Sequence, residues 1–169
     1  KIYAFEPINN PSVCNQLILH EDYNTYCLNY ALTDHNDVMC FHTSSNNFES
    51  SSLFEPQEHI TEFPDVKFTD IIFVKCRRLD HFHFVQFCDV LIMDVQGAEL
   101  SVLKGTNDLS NFRLIILEYI SSNMYNNSCT FEDIHRRVLD RGFEYRETFS
   151  VYYNLTTQVF AGNAIFVKR

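Results

Sequence analysis

The chain has 169 residues, 46% of them hydrophobic, which suits one domain over 1–169 with a single core that buries roughly 70% of the unfolded surface. Its formal charge is -9 and its thirteen basic residues are scattered apart from Arg77-Arg78 and Arg136-Arg137, a balance that excludes nucleic acid as a main partner. No apolar stretch reaches the length of a membrane span, and nothing reads as a charged-then-apolar leader.

Sixteen Phe and nine Tyr with no Trp predict an aromatic core. Six cysteines, at 14, 27, 40, 76, 88 and 129, show no Cys-x-x-Cys pair and sit mostly in apolar contexts. That pattern reads as buried thiols in a reducing compartment, hence a cytoplasmic location. Without a spaced Cys pair beside His81 and His83, no metal site is expected.

Ile2-Tyr3-Ala4-Phe5 reads as a short buried strand, ended by Glu6-Pro7 and followed by a helix from about Pro11 to His20. Thr25 to Leu32 alternates loosely and suits a strand ending at Ala31-Leu32, Thr33 to Asp37 is a turn, and Val38 to His42 is a further strand. Thr43 to Ser52 is polar and aperiodic, either a loop that contacts substrate or a solvated connection. Thr69 to Arg77 is strand-like, and a short helix is predicted from about His81 to Phe87. Val90 to Met93 is an uninterrupted apolar run, the pattern of a strand buried on both faces. It breaks into Asp94-Val95-Gln96-Gly97-Ala98-Glu99, after which Leu100 and Leu103 return at helical spacing before Lys104 and a capping Gly105. Arg113 to Tyr119 is the next buried strand and carries Glu118 near its end. Thr130 to Asp133 forms a capping box for a helix that ends before Gly142, and Phe143 to Tyr153 with Val159 to Lys168 make a closing antiparallel hairpin.

Three acids stand where strands of such sheets end, the place where α/β folds bind ligands. Asp94 contacts or orients a substrate, or only fixes the strand-to-helix turn. Glu118 reaches the same crevice, or is a surface acid just beyond the sheet; two carboxylates in one crevice would raise one pKa and favour proton acceptance near neutral pH. Glu6 accepts hydrogen bonds from a ribose, as acids at the end of the second strand do in nucleoside-binding folds, or is a helix-end acid. Glu99 is placed to satisfy free N–H groups at its helix start. His81 and His83 read as general bases or, among the neighbouring Phe residues, as packing.

Tyr3-Ala4-Phe5-Glu6-Pro7, Tyr30-Ala31-Leu32-Thr33-Asp34, Ser50-Ser51-Ser52-Leu53, Arg78-Leu79-Asp80, Asp94 to Glu99 and Ile115-Ile116-Leu117-Glu118 follow one another in an order that resembles the FkbM family of S-adenosylmethionine-dependent methyltransferases over nearly the whole chain. The resemblance implies an α/β fold: a Rossmann-like class I methyltransferase sheet with helices on both faces and a C-terminal antiparallel hairpin, entered at its second strand. It implies transfer of a methyl group from S-adenosylmethionine to a hydroxyl of a small-molecule or glycan acceptor, a sugar or secondary metabolite. Glu6 and Pro7 would then bind the ribose, Ala31 and Leu32 would lie beside the adenine, and Asp34 would meet its exocyclic amine. Asp94 and Glu118 are the catalytic candidates, since the donor is already activated and the acceptor hydroxyl needs placement and somewhere for its proton to go.

The departure from the family lies at the amino end. Only five residues precede Glu6 and no Gly precedes Gly97, so the family's first strand and its glycine-containing loop, which hold the methionine part of the cofactor, are absent from the sequence. The chain is therefore expected to be a carboxyl-terminal portion of a methyltransferase, or a non-catalytic remnant or interaction module; another kind of Rossmann-like nucleoside binder is a third reading. Ile2 to Phe5 and Val90 to Met93, which would flank the absent strand, are expected to pair directly in a shifted sheet or to face a groove, with self-association through unpaired edges.

Overall fold

A computed structural model describes residues 1–9 and 24–169. The helix expected from Pro11 to His20 lies outside the described residues. Among the described residues the architecture is mixed α/β, with three sheets of two, three and four strands. β1 (Ile2–Phe5) pairs in parallel with β2 (Thr25–Leu28). β3 (Ala31–Leu32) lies parallel to the end of β5 (Phe68–Arg77), which runs antiparallel to β4 (Asp37–Ser44). The third sheet places β6 (Val90–Met93) parallel to β7 (Leu114–Ile120), which continues through β9 (Phe160–Lys168) to β8 (Phe143–Tyr153).

The expected closing hairpin is present, and β9 joins it to β7 in the order β6-β7-β9-β8. The strand expected over Thr25 to Leu32 divides in two. The Tyr30 N–H bonds back to the Leu28 carbonyl at 2.9 Å, so the chain turns there, giving its first half to β1 and its second to β5. Where a short helix was expected after Leu79, two 3-10 turns form, Leu79–His81 and His83–Phe87. Their aromatics hold β1 in place: Tyr3 stacks on Phe84 at 3.8 Å between ring centroids, and Phe5 lies 5.0 Å from Phe82.

Three helices are described: α1 (His59–Glu62), α2 (Glu99–Lys104) and α3 (Phe131–Leu139). α3 starts on the expected capping box. Thr130 Oγ1 accepts the Asp133 N–H at 3.2 Å and Asp133 Oδ2 accepts the Thr130 N–H at 3.3 Å, satisfying two donors that a helix start leaves free. Ile134 and Val138 of this helix are buried in one cluster with Val102 and Leu103 of α2, Ile115 and Leu117 of β7, and Phe166 of β9. Each such side chain withdrawn from water contributes about 1.5–3 kcal/mol, so this four-stranded sheet and its two helices hold the largest buried cluster among the described residues.

β6 departs from its expected burial on both faces. Leu91 and Met93 are buried, whereas Val90 and Ile92 are 47% and 69% exposed. Two apolar side chains on the uncovered face of β6 thus look into open space. Among the described residues no strand pairs with the free edge of β6 or with that of β1, and the two do not pair with each other. Of the cysteines, Cys76 is buried within β5, where desolvation pushes its thiol up to about 11, whereas Cys40 on β4 is exposed. No described helix is long and apolar enough to cross a membrane, and no described cluster of His, Cys, Asp and Glu could hold a metal ion.

Candidate functional site

The carboxyl ends of β1, β3 and β6 meet at one cavity of about 1190 Å³. Glu6, Pro7, Ala31, Leu32 and Asp94 all line it, and so do Val90 and Ile92 from the uncovered face of β6. Each strand ends on a residue type that suits its place. Glu6 is half-buried, its Oε1 accepts the Ile8 N–H at 2.9 Å, and burial raises its carboxyl above the usual range while that hydrogen bond works against the shift. One carboxylate oxygen is thereby fixed on the backbone. Ala31 and Leu32 are buried and provide an apolar wall.

Asp34 is placed differently. It does not line the cavity; its carboxylate lies 2.6 Å from His35 Nδ1, a contact that lowers its pKa. Its carbonyl accepts a hydrogen bond from Arg78 Nη1 at 2.9 Å. Glu118 also lies outside the cavity lining, in a small recess with Tyr125 and Ser128. His81 and His83 are exposed and line neither space.

Asp94 and Glu118 are nevertheless joined. Gln96 Nε2 donates to Asp94 Oδ1 at 2.6 Å and to Glu118 Oε2 at 2.8 Å. Burial first, then the Asp94 charge and a hydrogen bond between the two carboxyls, hold Glu118 well above the ordinary carboxylate range, while the Gln96 amide works the other way. Glu118 is thereby pushed up to about 8, the direction expected for a half-buried carboxyl beside a second acid.

The turn between β6 and α2 is shaped for this. Gln96 and Gly97 both have positive φ, 50° and 95°, so the chain reverses within two residues; a Cβ on Gly97 would press on Tyr125 and Ser128 at 3.2 Å. Glu99 folds back to accept the N–H groups of Val95 at 3.2 Å and Gly97 at 3.3 Å, the role expected for it. It is fully enclosed, and burial pushes its carboxyl up to about 7. Gly105 follows α2 with a φ of -71°, so no left-handed cap demands a glycine there. A side chain at Gly105 would instead run into the Thr33 carbonyl, and this close approach fixes α2 against the end of β3.

Three features were not legible as functional in the sequence. Ser44, Ser50, Ser51 and Ser52 are buried and hydrogen-bonded among themselves and to the site, through Ser51 Oγ to the Ser44 N–H at 3.0 Å and Ser52 Oγ to the Gln96 carbonyl at 2.7 Å. The segment is thus clamped internally by its serines, while Ser45, Asn47, Phe48 and Glu49 are exposed and Phe48, Glu49 and Ser51 line the cavity. Tyr125 is buried, with its hydroxyl 2.8 Å from both the Ser50 carbonyl and Gln96 Oε1. His59 is 3% exposed, its Nδ1 has no hydrogen-bond partner among the described residues, and burial lowers its pKa. Only the run of serines offered any prior signal.

A family model described as "Methyltransferase FkbM domain" matches residues 1–145. The chain is also 33% identical over 105 residues to the "2-O-methyltransferase NoeI" of Sinorhizobium fredii (strain NBRC 101917 / NGR234), an alignment covering 56% of this chain and 43% of that relative. The chain thus spans less than half the length of the curated relative it matches. No solved structure matches. With the family model covering most of its length, the chain belongs to the FkbM methyltransferase family.

Proposed function

We propose that the chain forms the acceptor-side and nucleoside-side part of an S-adenosylmethionine-dependent O-methyltransferase, with a Rossmann-like arrangement of strand ends and a cytoplasmic location. The observation that carries this reading is the convergence of Glu6, Ala31, Leu32 and Asp94 on one cavity at the ends of three strands. A relative named for 2-O-methyl transfer supports a hydroxyl, on a sugar or a secondary metabolite, as acceptor.

The residues present suit the adenosine half of the cofactor. Glu6 offers its carboxylate to ribose hydroxyls with Pro7 fixing the turn, and Ala31 and Leu32 give an apolar wall to the adenine. Asp34 reaches the exocyclic amine only if its contact with His35 yields. No glycine lines the cavity, so the described residues supply no backbone cradle for the methionine half.

S-adenosylmethionine, when bound, supplies a methyl group already activated on sulfur. The chain's own contribution is placement and proton removal. Asp94 faces the cavity and accepts the hydroxyl proton as the acceptor oxygen gains the methyl carbon, while Glu118 is joined to it through the Gln96 amide. Methyl transfer from labelled donor to oligosaccharide acceptors, at millimolar donor, tests the reading: Asp94→Asn should lower turnover more than donor affinity. Intact turnover with lowered stability would make Asp94 a turn residue.

The rival reading, a non-catalytic interaction module, is favoured by the same missing glycine cradle and by the open edges of β1 and β6. A chain with no detectable transfer under those conditions, but with specific association, would support it.

A further inference from the structure

Gln96 is held in an unfavourable backbone conformation for a side chain of its size, with φ of 50°, and every polar atom of its side chain is engaged. One amide hydrogen of Nε2 goes to each carboxyl, Asp94 at 2.6 Å and Glu118 at 2.8 Å, while Oε1 lies 2.8 Å from the Tyr125 hydroxyl. When both carboxyls are ionised, the opposite amide orientation would turn its oxygen toward two acceptors, so in that state the carboxyls dictate which way it faces. The backbone is fixed as well, since Ser52 Oγ donates to the Gln96 carbonyl at 2.7 Å. The single Tyr125 hydroxyl hydrogen is shared between Gln96 Oε1 and the Ser50 carbonyl, each 2.8 Å away.

We propose that Gln96 is the positioning residue of the carboxyl pair, its amide holding Asp94 and Glu118 at one spacing and stabilising their charged forms, with Tyr125 and Ser52 locking that amide in place. This deepens the proposed function and rests on it for its consequence, though not for its test. Two hydrogens on one nitrogen diverge at a fixed angle, so the two carboxyls cannot approach or separate without losing one bond. A donor shared between them also offsets part of their repulsion. The titratable groups facing Glu118 are Asp94 after β6, Glu99 of α2 and the Tyr125 hydroxyl, and His59 of α1 lies against the Tyr125 ring at 5.6 Å. Because Asp94 and Glu99 are both acids, the Gln96 amide is the contact that favours ionisation of Glu118.

The test is a carbon-13 NMR titration of the Asp and Glu side-chain carboxyls in the 169-residue chain, read beside the side-chain amide signals of Gln96. In the unsubstituted protein the Gln96 amide should shift with the same midpoint as Glu118. Gln96→Gly, which suits the left-handed backbone and removes only the side chain, should move the Glu118 midpoint upward by about one pH unit. Tyr125→Phe should move it in the same direction by less. A Gln96 amide indifferent to pH across the Glu118 midpoint would overturn the proposal even if neither variant folds. So would a folded Gln96→Gly whose melting temperature changes while the midpoint stays. Absence of methyl transfer with the coupled titration intact would count against the enzymatic reading alone.

Discussion

Glu6 at the end of β1 and Asp94 at the end of β6 line the same cavity although their strands belong to different sheets and share no hydrogen bond. What brings them together is the aromatic contact of β1 with the 3-10 turn before β6, in which Tyr3 lies flat on Phe84. The cavity is lined by both strands over their full length, with Glu6 and Asp94 at their carboxyl ends.

Glu6→Ala should weaken nucleoside binding by about 1.5–3 kcal/mol, the range for hydrogen bonds to a charged group. Competition between adenosine and S-adenosylhomocysteine, followed by NMR, reads the change. Unchanged affinity removes Glu6 from the ribose position. Because no glycine lines the cavity, calorimetry of the 169-residue chain with S-adenosylmethionine should show affinity weaker than micromolar.

Stability should depend on pH through two buried groups of opposite sign. Burial raises Glu99 from 4.5 to about 7; its contribution is fully present below pH 4.5 and lost as pH rises through about 7. Burial lowers His59 from 6.5; its contribution is present above pH 6.5 and lost as pH falls through its folded value. Glu99→Gln keeps an oxygen for the Val95 and Gly97 N–H groups and removes the charge, so it should stabilise the protein at pH 8 and change little at pH 4. Urea midpoints at the two pH values measure this, and an equal effect at both would show that the Glu99 charge is not what burial penalises.

The sheet of β6 to β9 and its two helices should dominate stability. Leu103→Ala removes a fully buried side chain and should cost about 2–5 kcal/mol. Thr130→Ala removes the α3 cap and should cost about 1 kcal/mol. Denaturant unfolding of both variants checks the ranking; equal losses would contradict it.

The free edge of β6, with Ile92 69% exposed, should recruit a second chain at high concentration, since an open apolar edge is a template for pairing. Ile92→Lys should shift sedimentation toward the monomer. A monomer at every concentration without that substitution would show that the edge is protected.

Elements whose pattern is local were legible in the sequence. The capping box at Thr130 and Asp133, the strand-to-helix break at Asp94 and the closing hairpin follow from side chains a few residues apart. The apolar run from Val90 to Met93 gave the strand but not its exposure, because a run of four apolar residues cannot say whether both faces have neighbours. Asp94 and Glu118 could be set near one another from their strand ends. The amide that joins them could not, since Gln96 meets Tyr125 across 29 residues and Ser52 across 44. Contacts of that kind carry no sequence period. Asp34, assigned by resemblance to an adenine contact, sits outside the cavity lining because the turn after β3 directs it toward His35 and Arg78.

The most direct measurement is a nitrogen-15 NMR titration of the chain with adenosine and with S-adenosylhomocysteine at millimolar concentration. The expected result is a set of backbone shifts centred on Glu6, Ala31 and Leu32, extending to Asp94 with the larger ligand and lost in Glu6→Ala. Shifts scattered over the surface, shifts centred elsewhere, or none at all would contradict a nucleoside site at the ends of β1, β3 and β6.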